Sequence, residues 1–83
     1  MSLSFNDIYQ RIIQILLELF QIKSDSVKLE TKVSSLINSI QMIKFAVEIE
    51  KSFNIFIEED FYEREEDIDI AYLVKYINQK IDT

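Results

Sequence analysis

The sequence predicts an all-α protein, a small four-helix bundle with three main helices, a short third helix and a long first loop. Apolar residues recur at three- and four-residue spacing in three stretches, which is the periodicity of a helix with one buried face. A polar segment, residues 23–35, separates the first two stretches. The chain has no glycine and no proline, so we expect its turns to be made by Asn, Asp and Ser.

The first helix is predicted to begin after Ser4 and to end near residues 20–22. Ser4 suits the N-cap position, and Asp7 lies near the position that completes a capping box. The buried stripe is predicted to consist of Phe5, Ile8, Ile12, Leu16 and Leu19.

Residues 23–35 lack helical periodicity and are rich in Ser, Asp and Thr, which favour loops. Loops of this length in compact domains are often functional. Four apolar residues are expected to hold the loop against the helices: Val27, Leu29, Val33 and Leu36.

The second half of the chain predicts two further helices. Acidic residues at 58–60 favour the start of a short helix, with Phe61 and Tyr62 directed inward. Asp69 is a suitable N-cap for a last helix over residues 70–81. Its predicted buried stripe is Ile70, Leu73, Val74, Ile77 and Ile81, and the six phenylalanines are interpreted mainly as core.

Length and composition limit the classes of function. The 83 residues suit one domain spanning residues 1–83, and the net charge of −6 argues against nucleic acid as a partner. The chain has no cysteine or histidine, which removes the usual zinc ligands and the commonest general base. No apolar run approaches the roughly 20 residues of a membrane span, and no basic-then-apolar leader is present. We expect a cytoplasmic monomer without membrane insertion.

The acidity is concentrated in residues 58–69, which hold eight acids and one base, a segment charge of −7. A calcium loop of the helix-loop-helix kind is excluded because it needs a glycine at its sharp turn. The segment is either a solvated acidic face or a surface that steers a basic partner.

Residues 36–53 form the stretch around which the chain is organised. Asn38 is the expected N-cap, although Ser39 suits that position almost as well. The core-facing stripe contains Met42, Ala46, Ile49 and Phe53, with Ile43, Phe45 and Glu50 beside it. A second stripe on another side consists of Ile40, Lys44, Val47 and Lys51. A helix that only contributes to a core seldom needs an apolar residue, here Ile40, at the start of its charged stripe. We therefore interpret the start of this helix as a surface that binds other proteins.

Asn38-Ser39-Ile40, together with residues 47–55, resembles the carrier proteins of fatty-acid, polyketide and nonribosomal-peptide synthesis over most of the chain. Those proteins carry a phosphopantetheine arm on the serine of an Asp-Ser-Leu motif that opens their second helix. The resemblance implies a 4'-phosphopantetheine arm on Ser39, delivered from coenzyme A by a phosphopantetheinyl transferase. It implies further partners, namely an acyl- or aminoacyl-activating ligase and downstream synthase enzymes, and recognition through Ile40, Lys44, Val47 and Lys51.

Two departures from the family pattern are present. Asn38 replaces the usual aspartate, which removes a charge that many modifying enzymes contact, and Ser35-Leu36 stands where leucine-glycine is common. The second helix has no net charge, whereas fatty-acid carriers have a row of acids there, so the resemblance points to a specialised pathway.

The sequence is also compatible with other interpretations. Ser39 could be an ordinary helix-capping residue, and Asp25-Ser26-Val27 competes with it because it keeps the aspartate, although no helical stripe follows. The chain could also be a helical adaptor of the same fold without the arm. An enzyme is disfavoured because no nucleophile, base and oxyanion site can be assembled from its residues.

Overall fold

The computed structural model describes residues 3–81, and within them four α-helices form a compact bundle. They are α1 (Phe5–Phe20), α2 (Ser39–Phe53), α3 (Glu59–Glu63) and α4 (Ile70–Ile81). Single 3₁₀ turns occur at Ser24–Ser26, Val33–Ser35 and Glu65–Asp67. The prediction of an all-α fold with a short third helix and a long first loop is confirmed for this part of the chain.

The start of α1 follows the predicted capping pattern. The Asp7 backbone N–H donates to Ser4 Oγ at 3.1 Å, and the Ser4 N–H donates to Asp7 Oδ2 at 3.2 Å. This reciprocal pair satisfies two backbone donors that a helix start otherwise leaves unpaired. The prediction of Ser4 as N-cap is confirmed.

The end of α1 shows that the expected turn chemistry was incomplete. Gln21 closes the helix in the left-handed conformation, with φ 56° and ψ 33°, and its N–H donates to Leu17 O at 2.9 Å. Asn54 closes α2 in the same conformation, with φ 54°. The prediction that Asn, Asp and Ser make the turns therefore holds at Asn54 and is wrong at Gln21, where hydrogen bonding of the helix end requires a conformation that glutamine adopts only with strain.

Replacing Gln21 with glycine should raise the free energy of unfolding by about 0.5–1 kcal/mol. Removal of the Cβ relieves a left-handed strain of about 1–2 kcal/mol. Part of this gain is offset because glycine increases the conformational entropy of the unfolded chain. Urea unfolding of Gln21→Gly measures this change. Gln10→Gly is the matched control, because Gln10 is an exposed right-handed position within α1. That substitution should destabilise by about 1 kcal/mol, and destabilisation by both variants would contradict the strain at Gln21.

The core is formed where α1 packs against α2 and α4. It contains only apolar side chains among the described residues. The predicted stripe of α4 is buried at Ile70, Leu73, Val74 and Ile77, and Ile81 packs against the core edge. Asp69 Oδ1 accepts the Tyr72 N–H at 2.8 Å, which confirms the expected cap.

The long first loop is fixed to the start of α4. Val33 N–H donates to Ile68 O at 2.9 Å, and Ile70 N–H donates to Thr31 O at 3.1 Å. Val27 and Val33 are buried, and Leu36 is half-buried, as expected of residues that hold the loop. Leu29 is exposed instead, and the loop is held at that point by its carbonyl, which accepts the Ala71 N–H at 2.9 Å.

Three predicted core positions are wrong. Phe5 is 44% exposed because it is the first residue of α1, where neighbouring elements do not cover it. Phe56 is 72% exposed, since it lies in the extended link between α2 and α3 and successive side chains there alternate in direction. Ile43, placed beside the core stripe of α2, also lies at the surface.

Candidate functional site

The start of α2 is fixed at Ser39 by a reciprocal cap on the preceding residue. Asn38 Oδ1 accepts the Gln41 N–H at 2.8 Å, and Gln41 Oε1 accepts the Asn38 N–H at 2.9 Å. Asn38 is therefore the N-cap, and Ser39 is the first helical residue. The part played by Gln41 was missed from the sequence, although a polar cap followed three residues later by Gln is the signal for it.

Ser39 is exposed, and the backbone around it offers hydrogen-bond donors. The Gln41 N–H donates to Asn38 Oδ1, and the Met42 N–H donates to the Asn38 carbonyl at 2.9 Å. Within the described chain, the N–H groups of Ser39 and Ile40 remain without a protein acceptor. Unpaired N–H groups at the positive end of a helix dipole favour a negatively charged group at this point.

Ser39 lies on the rim of a cleft between α2 and α3 with a volume of about 430 Å³. Most of the cleft surface is apolar, and Glu59 contributes the acidic side chain. The cleft is lined by Ser39, Met42, Ile43, Glu59 and Tyr62. The Ser39 hydroxyl is therefore adjacent to a mostly apolar cleft, and a chain attached to its oxygen can lie along that cleft.

Tyr62 also lines this cleft. Its ring packs edge-on against the buried Phe61, with 5.9 Å between the ring centroids. Burial raises the pKa of Tyr62, and the nearby Glu50 carboxylate and Tyr76 phenol raise it further. A tyrosine phenol is protonated at physiological pH even at its ordinary pKa, and this shift keeps it so, which leaves the hydroxyl able to donate a hydrogen bond.

The position of α3 beside Ser39 depends on Glu50, near the end of α2. Its Oε2 accepts the Ile57 N–H at 2.8 Å, and its backbone carbonyl accepts the Ile55 N–H at 3.2 Å. Asn54 lies between them in the left-handed conformation. These bonds reverse the chain after α2 and set the direction in which α3 begins.

Glu58 fixes the same segment to α4. Its backbone N–H donates to the Tyr76 hydroxyl at 3.2 Å, and its Oε1 pairs with Lys80 Nζ at 3.1 Å. The hydrogen bond to Glu58 raises the pKa of Lys80, whose ammonium also lies 5.4 Å from the centre of the Tyr76 ring. Within the acidic segment, the Glu58 carboxylate thus forms a surface ion pair, while Glu59 lines the cleft.

The competing serine at position 26 has a different setting. Ser26 ends a single 3₁₀ turn, and Val27 after it is extended, with φ −122° and ψ 127°, so no helix begins there. A groove of about 480 Å³ lies nearby, and its lining consists of Ile13, Leu17, Lys23, Ser24 and Asp25. Ser39 is therefore the serine, of the two, that lies at the start of an α-helix and lines a cleft.

The four residues expected to meet partners all lie at the surface: Ile40, Lys44, Val47 and Lys51. Ile43 joins them at the surface and also lines the cleft. Ile43 falls at the edge of the apolar stripe of α2. Helical periodicity alone does not tell whether a residue at that edge is buried or exposed, so the sequence signal for Ile43 was ambiguous.

Comparison with known proteins identifies no relative. No family model matches the chain, and no curated protein and no solved structure matches it significantly. In the described residues, no helix combines the length and the apolar character needed to cross a bilayer.

Proposed function

We propose that this chain is an acyl or aminoacyl carrier protein, which holds its cargo as a thioester on a 4'-phosphopantetheine arm attached to Ser39. The observation that carries the proposal is the exposed Ser39 at the first position of α2, beside an apolar cleft. The described chain has the short third helix and the long first loop that the sequence resemblance leads us to expect, and these features support the same assignment.

The attachment chemistry suits the residues at the helix start. The Ser39 oxygen forms a bond to the pantetheine-side phosphorus of coenzyme A as the phosphoanhydride bond breaks, the adenosine bisphosphate part leaves, and the hydroxyl proton passes to a base of the transferase. The resulting phosphodiester is stabilised by the unpaired N–H groups of Ser39 and Ile40 and by the dipole of α2. Like charges repel, so we expect the phosphate to lie over these groups and away from Glu59.

A separate enzyme has to catalyse this transfer. The chain contains no histidine and no cysteine, so the commonest general base for activating a hydroxyl is missing from it. In this proposal Ser39 is a substrate residue of a phosphopantetheinyl transferase, and the carrier is not itself an enzyme.

In this proposal the cleft beside Ser39 accommodates the attached arm. Ile43 offers apolar contact to the arm or its cargo, and the Tyr62 phenol offers a hydrogen bond. Tethering also gives the cargo a high effective concentration at each partner, in the mM range for short flexible linkers. The partners in this proposal are the transferase, an activating ligase and the synthase enzymes of a specialised fatty-acid, polyketide or nonribosomal-peptide pathway.

Incubation of the purified chain with coenzyme A and a broad-specificity phosphopantetheinyl transferase tests the proposal. Intact-mass spectrometry should show one added phosphopantetheine group per chain. An unchanged mass, under conditions in which an established carrier is fully converted, would contradict it.

A helical adaptor of the same fold without the arm is the second candidate. Ile40, Ile43 and Val47 are exposed on one side of α2, which suits protein binding irrespective of any attached group. The mass measurement separates the two functions, because an adaptor gains no mass.

A further inference from the structure

Glu59 is the charged side chain among the described residues that line the cleft beside Ser39. The other lining residues are apolar or carry a hydroxyl that is uncharged at physiological pH. The neighbouring Glu58 carboxylate pairs with Lys80 at 3.1 Å, whereas the Glu59 carboxylate forms no hydrogen bond or ion pair with the described residues. The charge on Glu59 is therefore not neutralised by this part of the chain and is available to a group in the cleft.

The rest of the cleft suits a small group that is mostly apolar. Its volume of about 430 Å³ lies within the range of about 300–1,000 Å³ that is usual for small-ligand sites. Ile43 is 60% exposed and offers apolar contact, and the Tyr62 hydroxyl is able to donate a hydrogen bond. The combination of apolar contact, a donor and a carboxylate fits a ligand with an apolar part, a carbonyl and a cation.

Attachment of the arm adds a second negative charge to the cleft. The phosphodiester on Ser39 is ionised at physiological pH, and Ser39 itself lies on the rim. A carboxylate on the cargo would be repelled by this phosphodiester and by Glu59, while an ammonium would be attracted to both. Interactions between exposed charges are weak in water, so these charges choose between cargoes while apolar contact holds them.

Building on the proposed function, we infer that the cargo is an aminoacyl group with an apolar side chain, held in the cleft with its ammonium beside Glu59. The apolar side chain of the cargo contacts Ile43, and the Tyr62 hydroxyl donates to a carbonyl of the cargo or the arm. A cargo with a carboxylate in place of the ammonium is disfavoured by repulsion, which is selection against a competitor. The activating ligase among the partners is then an enzyme that activates an amino acid.

Three cargoes that differ at one position test this inference: leucyl, with an ammonium; 4-methylpentanoyl, with hydrogen; and isobutylmalonyl, with a carboxylate. A broad-specificity phosphopantetheinyl transferase loads each one with its arm from the matching coenzyme A thioester. Thioester cleavage by hydroxylamine is then timed on the carrier and on coenzyme A, and the rate on coenzyme A divided by the rate on the carrier is the protection. The leucyl group should be protected about tenfold more than the isobutylmalonyl group, with 4-methylpentanoyl between them.

Variants in the first turn of α3 assign this difference to one carboxylate. Glu59→Gln should reduce the ratio to about threefold, the part due to the phosphodiester, and Glu59→Lys should bring it to about one. Asp60→Asn is the matched control, because Asp60 lies in the same turn but its carboxylate acts on Lys80, whose pKa it helps to raise. It should leave the ratio unchanged. Ile43→Ala should lower the protection of all three cargoes by a similar factor, and thermal unfolding verifies that each variant is folded.

The outcomes separate this inference from the proposed function. Equal protection of the three cargoes, absence of protection, or equal effects of Glu59→Gln and Asp60→Asn would overturn the cargo inference and leave the carrier function standing. Failure to load phosphopantetheine from coenzyme A itself, under conditions in which an established carrier is converted, would overturn both.

Discussion

Ser39→Ala should abolish the attachment of phosphopantetheine and leave the protein folded. The substitution removes the oxygen that forms the bond to phosphorus. It leaves the helix start intact, because the cap is made by Asn38 and Gln41 and not by the Ser39 side chain. Intact-mass spectrometry after incubation with coenzyme A and the transferase measures the attachment, and thermal unfolding measures the stability, which should change by less than about 0.5 kcal/mol.

Ser26→Ala is the matched control for this loss. Ser26 is exposed and follows an aspartate, but it ends a 3₁₀ turn and does not begin a helix. This variant should gain the same mass as the unmodified sequence. A mass gain that survives Ser39→Ala, or one that is lost in Ser26→Ala, would place the attachment elsewhere.

Phe45→Ala should have the largest effect on stability, with a loss of about 3–5 kcal/mol for a buried phenylalanine. Phe45 is 1% exposed and packs edge-on against Phe20, with 6.4 Å between the ring centroids. A domain of this length is expected to have a total stability of about 4–12 kcal/mol. The loss is therefore a large part of the total, and the midpoint of urea unfolding should fall accordingly.

Phe56→Ala provides the comparison within the same residue type. Phe56 is 72% exposed, and its truncation should change the free energy of unfolding by less than about 0.5 kcal/mol. Equal destabilisation by the two substitutions would contradict the assignment of Phe45 to the core and of Phe56 to the surface.

Local rules account for most of the fold. The helix bounds follow from apolar periodicity, and three of the starts follow from residues whose side chains accept from the first turn: Ser4, Asn38 and Asp69. These signals operate over three or four residues, so they are readable without knowledge of the tertiary structure. The position of Ser39 at a helix start belongs to this class.

The cleft beside Ser39 depends on contacts between residues distant in sequence, which local sequence patterns do not predict. Its α3 wall is positioned by the bond from the Ile57 N–H to Glu50 Oε2 and by the bond from the Glu58 N–H to the Tyr76 hydroxyl, eighteen residues away. Gln21 shows a different limit, because hydrogen bonding at the end of α1 is made in a left-handed conformation that residue preferences argue against.

Peptide mapping of the loaded protein tests the central claim most directly. After incubation with coenzyme A and the transferase, the chain is digested and tandem mass spectrometry locates the added group. The account predicts phosphopantetheine on Ser39 alone. A digest in which the group is found on Ser26, Ser34 or Ser35, or in which the peptide containing Ser39 is fully unmodified, would contradict it.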